Sequence, residues 1–174
     1  LVDSVNLMMD GAKGMIPAVL RILAAGVLAG VLIESGGAKT IAETLVRKVG
    51  ETRALFALAF ATMVLTAVGV FIDVAVITVA PIAIAIAQRA DLSRMAILLA
   101  MIGGGKAGNI MSPNPNAISA AEAFNIPLTS MMMAGIIPAV LGLFATYLIA
   151  KRLSKKGTKI TGQESVDDGD QQLP

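Results

Sequence analysis

The sequence of 174 residues contains no cysteine, no histidine and no tryptophan. Without cysteine, neither a disulfide framework nor a thiolate metal site can form, and without histidine the usual zinc-binding spacings are also absent. A Ser-His-Asp triad or a Cys-His pair cannot be assembled from such a chain either. We therefore predict no metal site, no cofactor and no catalytic residues.

Aromatic and charged residues are also scarce, at 3% and 15% of the sequence. So few aromatic side chains cannot provide a stacking platform for single-stranded nucleic acid. The formal net charge is +2, and five basic residues are gathered in one segment: Lys151, Arg152, Lys155, Lys156 and Lys159. Because this segment follows a long apolar run, membrane topology explains it better than nucleic-acid binding does. The sequence thus predicts no nucleic-acid partner.

Hydrophobic residues make up 56% of the chain, against about 45–50% in soluble domains. They are concentrated in four stretches with at most one charged residue each, namely residues 14–33, 54–88, 95–121 and 123–150. A helix needs about 20 predominantly apolar residues to cross a bilayer. The pattern predicts an all-α membrane protein whose partner is the lipid bilayer.

The chain divides into three parts. Residues 1–13 are mixed in character and are interpreted as a lead-in, residues 14–152 as a transmembrane repeat, and residues 153–174 as a polar cytoplasmic linker or tail. The last part is polar, acidic and too weakly hydrophobic to fold by itself. Because the chain starts at Leu1 and not at methionine, we expect either a trimmed start or a piece of a longer protein.

Two segments of the repeat are predicted to be simple transmembrane helices. The first is residues 15–33, with Pro17 in the first turn, where the missing N–H costs little. The second is residues 128–150, the last crossing. Between them, residues 38–49 place an apolar residue at every fourth position among charged ones, which predicts an amphipathic helix in the membrane interface. A cytoplasmic loop helix is the alternative for that segment.

Residues 54–88 are too few for two full crossings and a turn, since each crossing needs about 20 residues. One long tilted helix is an alternative. We favour a re-entrant hairpin of two half-helices, with Asp73 near its tip and Pro81 in the second half. Such a hairpin returns the chain to the side from which it entered, which places Arg53 and Arg89 on one face of the membrane.

A helix is predicted from Leu92 to Ile102 and again from Ala117 to Phe124. The intervening residues 103–116 contain four glycines and two prolines. In a helix interior, glycine costs about 1 kcal/mol and proline about 3 kcal/mol, so we predict that this segment is unwound. Irregular backbone at membrane depth is tolerated only where it faces protein or a water-filled cavity. The pattern therefore predicts a discontinuous helix with a binding cavity at its centre.

The basic loops indicate the orientation of the chain, because such loops are more often cytoplasmic. With the basic loops inside, the chain makes three crossings and one hairpin. A unit with an odd number of crossings has the opposite orientation when it is repeated, and inverted repeats with broken helices are typical of secondary transporters. We therefore expect one half of an inverted-repeat transporter, whose second repeat is missing from this sequence.

Polar residues inside apolar stretches are costly and often functional. Asp73 is predicted to take a coupling proton; the alternatives are that it caps a helix or reaches the interface. Lys106 is predicted to attract an anionic substrate, with an ion pair to Asp73 or extension towards water as alternatives. The helix start near Ala117 is predicted to offer unpaired N–H groups to a carboxylate. The predicted substrate-binding residues are Lys106, Asn109, Ser112, Asn114 and Asn116.

Two further features are interpreted as structural. Arg21 lies within the first apolar run, and we expect it to extend to the interface or to pair within a larger protein rather than to contact substrate. The three consecutive methionines from Met131 to Met133 are expected to face lipid or to fill gaps in the packing.

Four segments occur in a characteristic order: residues 17–30, residues 35–44, Val70-Phe-Ile-Asp-Val74 and Lys106-Ala-Gly-Asn-Ile-Met-Ser-Pro-Asn-Pro-Asn116. In this order they resemble the gluconate permease family, proton-coupled sugar-acid carriers of the ion transporter superfamily. The resemblance covers about residues 12–152 and corresponds to the N-terminal repeat of a longer permease. It implies a cytoplasmic re-entrant hairpin with an acidic tip at Asp73, and a broken helix with a Pro-x-Pro segment at Pro113-Asn-Pro115.

On these grounds we expect half of a secondary active transporter of the cytoplasmic membrane, which carries a small organic anion together with protons. Gluconate or a related sugar acid is the expected substrate; family members associated with gluconate carry histidines around the Pro-x-Pro segment, and this chain has none. The rival functions are a membrane-embedded enzyme with Asp73 and Lys106 as acid and base, and a non-transporting membrane scaffold. We see no nucleophile or metal set for the enzyme. The oligomeric state, including a homo-oligomer, is left open.

Overall fold

The computed structural model describes residues 2–50 and 53–158. Within these ranges the chain forms eight α-helices, which confirms the all-α prediction. They are α1 (Val2–Glu34), α2 (Gly37–Val49), α3 (Ala54–Ala67), α4 (Ile72–Ala90), α5 (Arg94–Ile110), α6 (Pro115–Ala123), α7 (Leu128–Ala134) and α8 (Ile136–Leu153).

Four helical stretches of the described chain are long and apolar enough to cross a membrane: Val2–Glu34, Ile72–Ala90, Arg94–Ala123 and Leu128–Leu153. The first is α1, which begins well before the predicted start at Met15 and includes most of the residues interpreted as a lead-in. The last consists of α7 and α8 and agrees with the predicted final crossing. The 14-residue α3 is shorter than the roughly 20 residues that a crossing needs.

The central helix of the bundle is α3. Ten of its fourteen residues are buried, and it packs against α2, α4, α5 and α8. Apart from two threonines, its side chains are apolar all round, and a helix of that kind is stable only when other helices cover every face. The two threonines, Thr62 and Thr66, are fully buried, and the Thr62 hydroxyl donates a hydrogen bond to a backbone carbonyl oxygen of its own helix.

The closest packing in the bundle is between α3 and the glycine-rich half of α5. The prediction that the helix stops at Ile102 is wrong, because α5 continues as a helix to Ile110. Its glycines allow close approach instead of unwinding the chain: a Cβ atom on Gly104 would lie less than 3.0 Å from the carbonyl oxygen of Ala59. Small residues permit such contacts between membrane helices. The packing gained outweighs the intrinsic helix cost of glycine on which the prediction relied.

The helices α3 and α4 form a hairpin that is joined by residues 68–71. The two ends of the hairpin meet, since Arg53 and Ala90 line the same pocket. Residues 53 and 89 therefore lie at the same end of the bundle, and that they share one face of the membrane stays a prediction. The arms are unequal, because α4 has 19 residues and continues through Pro81, which makes it longer than the predicted half-helix.

The bundle has one end that is rich in basic residues, called the basic end below. There, the backbone N–H and the hydroxyl of Ser93 donate 2.9 Å hydrogen bonds to the carbonyl oxygens of Ser154 and Leu153, respectively. These bonds tie the start of α5 to the end of α8. The basic end comprises Arg47, Arg53, Arg89, Arg94 and Lys151. The loops that their charges assign to one side of the membrane thus meet at one end of the fold.

The first helix lies at the periphery, where it packs mainly against α2 and α6. Only 11% of the residues in its most apolar stretch are buried, so most of α1 is exposed on the outside of the bundle. Arg21 forms an ion pair with Glu122 of α6, between Nη1 and Oε1. The partner of Arg21 therefore lies in this chain, whereas the sequence predicted extension to the interface or pairing within a larger protein.

The final crossing is interrupted once, at Gly135 between α7 and α8. A Cβ atom on Gly135 would lie less than 3.0 Å from the carbonyl oxygen of Ile110, so this interruption packs tightly against the end of α5. Helix α8 ends at Leu153. Residues 159–174, which include Lys159 and most of the predicted tail, lie outside the described residues.

Candidate functional site

The break between α5 and α6 consists of residues 111–114. It is much shorter than the predicted unwound segment of residues 103–116, but the predicted discontinuity of the helix is confirmed. Pro113 and Pro115 explain where the break lies, because proline has no N–H to donate and disfavours helical geometry at the residue before it. The polar residues around this break are the candidate site.

The side chain of Asn114 connects the two helices across the break. Its Nδ2 donates to the carbonyl oxygen of Asn109 near the end of α5. Its Oδ1 accepts hydrogen bonds from the backbone N–H groups of Asn116 at 2.8 Å and Ala117 at 3.2 Å. Asn114 is therefore the N-cap of α6, a role in which asparagine is among the preferred residues.

This capping changes what the start of α6 can offer to a ligand. The backbone N–H groups of Asn116 and Ala117 are occupied by Asn114, and that of Ile118 donates to the Asn114 carbonyl oxygen at 3.0 Å. Pro115 has no N–H. The prediction of unpaired N–H groups at this helix start is thus wrong, because the cap satisfies them within the chain.

Ser112 is part of the structure of the break, not of its accessible surface. Its exposed fraction is 0%. Its hydroxyl donates to the carbonyl oxygen of Asn109 at 3.2 Å and accepts from Asn114 Nδ2 at 3.2 Å. The structure therefore places Ser112 beneath the other predicted site residues, where it supports Asn114.

A groove of about 400 Å³ lies beside the break. It is lined by Lys106, Asn109, Asn114 and Asn116, together with Ile110, Ala117, Ala120 and Met131. Four of the five predicted substrate-binding residues therefore line one groove. Its volume is within the range of about 300–1,000 Å³ that is usual for small-molecule sites.

Three side chains in the groove have polar atoms without a partner among the described residues. These are the ammonium group of Lys106 and the carboxamides of Asn109 and Asn116, none of which forms a side-chain hydrogen bond there. Lys106 is the one charged residue in the lining. The groove thus offers one positive charge and two amides, a set that suits an anion with hydroxyl groups. Within the described ranges, no cluster of acidic residues, histidine or cysteine could hold a metal ion.

Asp73 does not line the groove. It is exposed in the first turn of α4, where a negative charge interacts favourably with the helix dipole, and it forms no capping hydrogen bond. No ion pair joins it to Lys106 in the described chain. The start of α4 nevertheless lies near Lys106, because a Cβ atom on Gly105 would be 2.7 Å from Ile72 Cγ1.

The turn of the α3–α4 hairpin lies directly against the break. A Cβ atom on Gly69 would lie 3.7 Å from Pro113 Cγ. The φ angle of Gly69 is 113°, a backbone conformation that favours glycine. The two non-helical segments, residues 68–71 and 111–114, are therefore neighbours in the fold.

One lining residue is not expected from the sequence. Met131, interpreted as a lipid-facing or packing residue, lines the groove from α7. Neither its residue type nor its neighbours distinguish it from Met132 and Met133. The contact arises because the chain reverses after α6, and such long-range proximity has no local signal in the sequence.

Comparison with known proteins gives a consistent set of relatives. The sequence model described as GntP family permease matches residues 1–173. The chain is 68% identical over 174 residues to an uncharacterized transporter of Haemophilus influenzae, covering 100% of this chain and 42% of that protein. It is 33% identical over 153 residues to the inner membrane permease YgbN of Escherichia coli, covering 84% and 34%.

A more distant relative is named for its substrate. The chain is 28% identical over 156 residues to a gluconate permease of Bacillus licheniformis, covering 88% of this chain and 35% of that protein. The chain spans less than half the length of the curated relatives it matches. No solved structure matches it.

Proposed function

The chain belongs to the GntP permease family, and from this premise we propose that it forms part of a secondary active transporter that carries a small organic anion together with protons. Gluconate or a related sugar acid is the proposed substrate class. Because the family consists of permeases and not of enzymes, the alternative of a membrane-embedded enzyme is excluded.

The chain is an integral membrane protein of the cytoplasmic membrane. Family membership and the four helices of sufficient length and apolarity support this localisation, as does the name of the inner membrane relative in Escherichia coli. We propose that the basic end faces the cytoplasm, since basic loops are enriched on that side.

The proposal of an anionic substrate rests on the composition of the groove beside the break. Lys106 supplies a positive charge, and the unpartnered amides of Asn109 and Asn116 supply donors and acceptors for hydroxyl groups. A charge-assisted hydrogen bond to a carboxylate is roughly twice as strong as one between neutral groups. Asn114 and Ser112 hold the backbone of the break in place around this set.

Asp73 is the proposed site of the coupling proton. It is the one ionisable residue of the hairpin between Ala54 and Gln88, and it has no hydrogen-bonded or ionic partner within the described residues. Ionisable residues in membrane segments commonly mark proton pathways. The packing of Ile72 against Gly105 brings the start of α4 next to the residue that precedes Lys106.

We also propose the architecture in which this site operates. The α3–α4 hairpin enters and leaves the membrane from the basic end, and a second repeat of opposite orientation completes the groove from the other side. Transport then results from movement of the hairpin and the broken helix relative to the surrounding helices. Two observations support this arrangement. Helix α3 has only 14 residues, too few to cross the membrane, and the groove is open to a second repeat on one side.

The test is uptake of a labelled panel of sugar acids into membrane vesicles that contain the complete transporter. We expect uptake of at least one hydroxy acid, its acceleration by an inward proton gradient and its loss with a protonophore. Uncharged sugars of the same size serve as the control. Absence of uptake for every anion of the panel, with the protein folded and inserted, would contradict the function and favour the scaffold alternative.

A further inference from the structure

A second pocket, of about 330 Å³, lies at the basic end of the bundle. Three parts of the chain form it: the start of α3, the turn between α4 and α5, and the last turns of α8. None of its lining residues lines the groove beside the break. It is therefore a separate site, and the transport proposal makes no use of it.

The polar groups of this pocket are mainly cationic. Arg53 and Lys151 line it, and both are exposed at its mouth. Neither forms an ion pair with a carboxylate of the described residues. The Lys151 ammonium lies 5.9 Å from the ring centroid of Tyr147. The Ser154 hydroxyl donates to the Lys151 carbonyl oxygen at 2.7 Å. The cationic donors that a ligand could use are those of Arg53 and Lys151.

The walls of the pocket are held by contacts outside it. Tyr147 packs edge-on against Phe56, with ring centroids 5.6 Å apart. Ser93 is fully buried and ties the start of α5 to the end of α8 through its two 2.9 Å hydrogen bonds. The pocket therefore does not depend on Arg53 or Lys151 for its shape, and these two side chains are available for binding.

We propose that this pocket binds a phosphate group, supplied by the headgroup of an anionic phospholipid. Two cations face one opening, an arrangement that suits a phosphate oxyanion. The floor is apolar, formed by Ala54, Leu55 and Leu92. Tyrosine is enriched at the membrane–water interface, and basic pockets between membrane helices on the cytoplasmic side bind anionic headgroups.

Among the described residues, which do not include Glu51, the charges around the pocket agree with an anionic ligand. Asp91 lies between the lining residues Ala90 and Leu92, but it does not itself line the pocket. The next cations along α8 and the following turn are Arg152, Lys155 and Lys156. A zwitterionic headgroup, whose own cation would meet these charges, should bind less well.

The test is native mass spectrometry of the full-length transporter in neutral detergent, titrated with phosphatidylglycerol or with phosphatidylcholine. The variant R53Q/K151Q removes both pocket cations. The matched control K155Q/K156Q removes two exposed cations from the same end of the bundle but outside the pocket lining. We expect the dissociation constant for phosphatidylglycerol to rise about fivefold for each pocket charge removed, hence roughly 25-fold in R53Q/K151Q, and to change little in the control.

The charge-conserving variant R53K/K151R guards against a folding defect and should retain binding. Equal weakening in R53Q/K151Q and K155Q/K156Q would overturn the proposal, because the attraction would then be unspecific. Equal affinity for the two lipids in the unmodified protein would overturn it as well. A third arm adds inorganic phosphate alone: if phosphate binds the unmodified protein and not R53Q/K151Q, while phosphatidylglycerol binds both equally, the lipid source is overturned.

Discussion

The hydroxyl of Thr66 in α3 donates a 2.9 Å hydrogen bond to the carbonyl oxygen of Gly105 in α5. Both residues are buried. Hydrogen bonds between membrane helices contribute about 0.6 kcal/mol on average, so this bond alone does not hold the two helices together. The main contribution comes from the close approach that the glycines of α5 permit.

Substitution of Gly108 by alanine should destabilise the transporter. A Cβ atom there would lie less than 3.0 Å from both Thr66 Oγ1 and the Met63 carbonyl oxygen, and such overpacking typically costs about 1–3 kcal/mol. The measurement is the thermal unfolding midpoint of the purified protein in detergent. Gly30→Ala is the matched control, because nothing lies within 4 Å of its added Cβ; an equal loss in both variants would contradict the packing argument.

Removal of the charge of Lys106 should weaken substrate binding. Lys106→Gln should raise the KM for the transported anion about 10- to 100-fold, because a hydrogen bond to a charged group contributes about 1.5–3 kcal/mol. Lys106→Arg should restore part of the affinity. The measurement is the concentration dependence of uptake, with Lys48→Gln on the exposed side of α2 as the control. An unchanged KM in Lys106→Gln would show that the Lys106 ammonium does not bind the substrate.

Asp73→Asn should separate uptake from the proton gradient. An amide of the same size cannot take up the coupling proton, so an imposed inward proton gradient should no longer accelerate uptake. Exchange of internal for external substrate should continue, because Asp73 does not line the groove. Glu34→Gln, an exposed acid at the end of α1, is the control. Normal gradient-driven uptake in Asp73→Asn would reject the assigned role.

The ion pair between Arg21 and Glu122 can be tested by reversing its charges. Arg21→Glu and Glu122→Arg should each lower the yield of folded protein, and the double variant should recover it. An ion pair exposed to water contributes about 0.2–1 kcal/mol, and a pair in hydrocarbon, where an unpaired charge is costly, should contribute more. The coupling between the two substitutions is read from the unfolding midpoints of the unmodified protein and the three variants. Additive effects of the two substitutions on the unfolding midpoint would show that the ion pair does not stabilise the protein in the membrane.

The two functions of Asn114 can be separated by two substitutions. Asn114→Ala removes the cap of α6 and should cost about 0.5–2 kcal/mol. Asn114→Asp keeps an oxygen for the N–H groups of Asn116 and Ala117 but loses the Nδ2 donor to Asn109. If the connection across the break matters for transport, both variants should lose uptake while Asn114→Asp keeps the thermal stability. Full uptake in Asn114→Asp would limit the role of Asn114 to capping.

Long apolar runs with few charges were enough to predict the helical class and most of the helices that are long and apolar enough to cross a membrane. The amphipathic α2 at Gly37–Val49 agrees with the predicted residues 38–49, because its charges and apolar residues alternate with the helical period. The candidate groove was also predictable in large part. Its residues from Lys106 to Asn116 are close in sequence, so a break of any length would have kept them together.

The glycines of α5 show what the sequence could not reveal. Glycine has the same low helix propensity whether it unwinds a helix or lets a neighbouring backbone approach, and the difference depends on α3, which is distant in sequence. The same is true of the α6 cap, since the competition between Asn114 and a ligand for the first-turn N–H groups depends on side-chain geometry. Met131 lines the groove because the chain reverses after α6, and no local sequence pattern indicates that reversal.

The contact between Gly69 and Pro113 has a mechanical consequence. Space for about one Cβ atom separates Gly69 from Pro113 Cγ, so a larger shift of either turn towards the other should displace both. Rearrangement of residues 111–114 around a bound ligand and displacement of the α3–α4 hairpin would then occur together. Any other residue at position 69 should strain the hairpin turn, because its φ angle of 113° favours glycine, and should do so without altering a polar group of the groove.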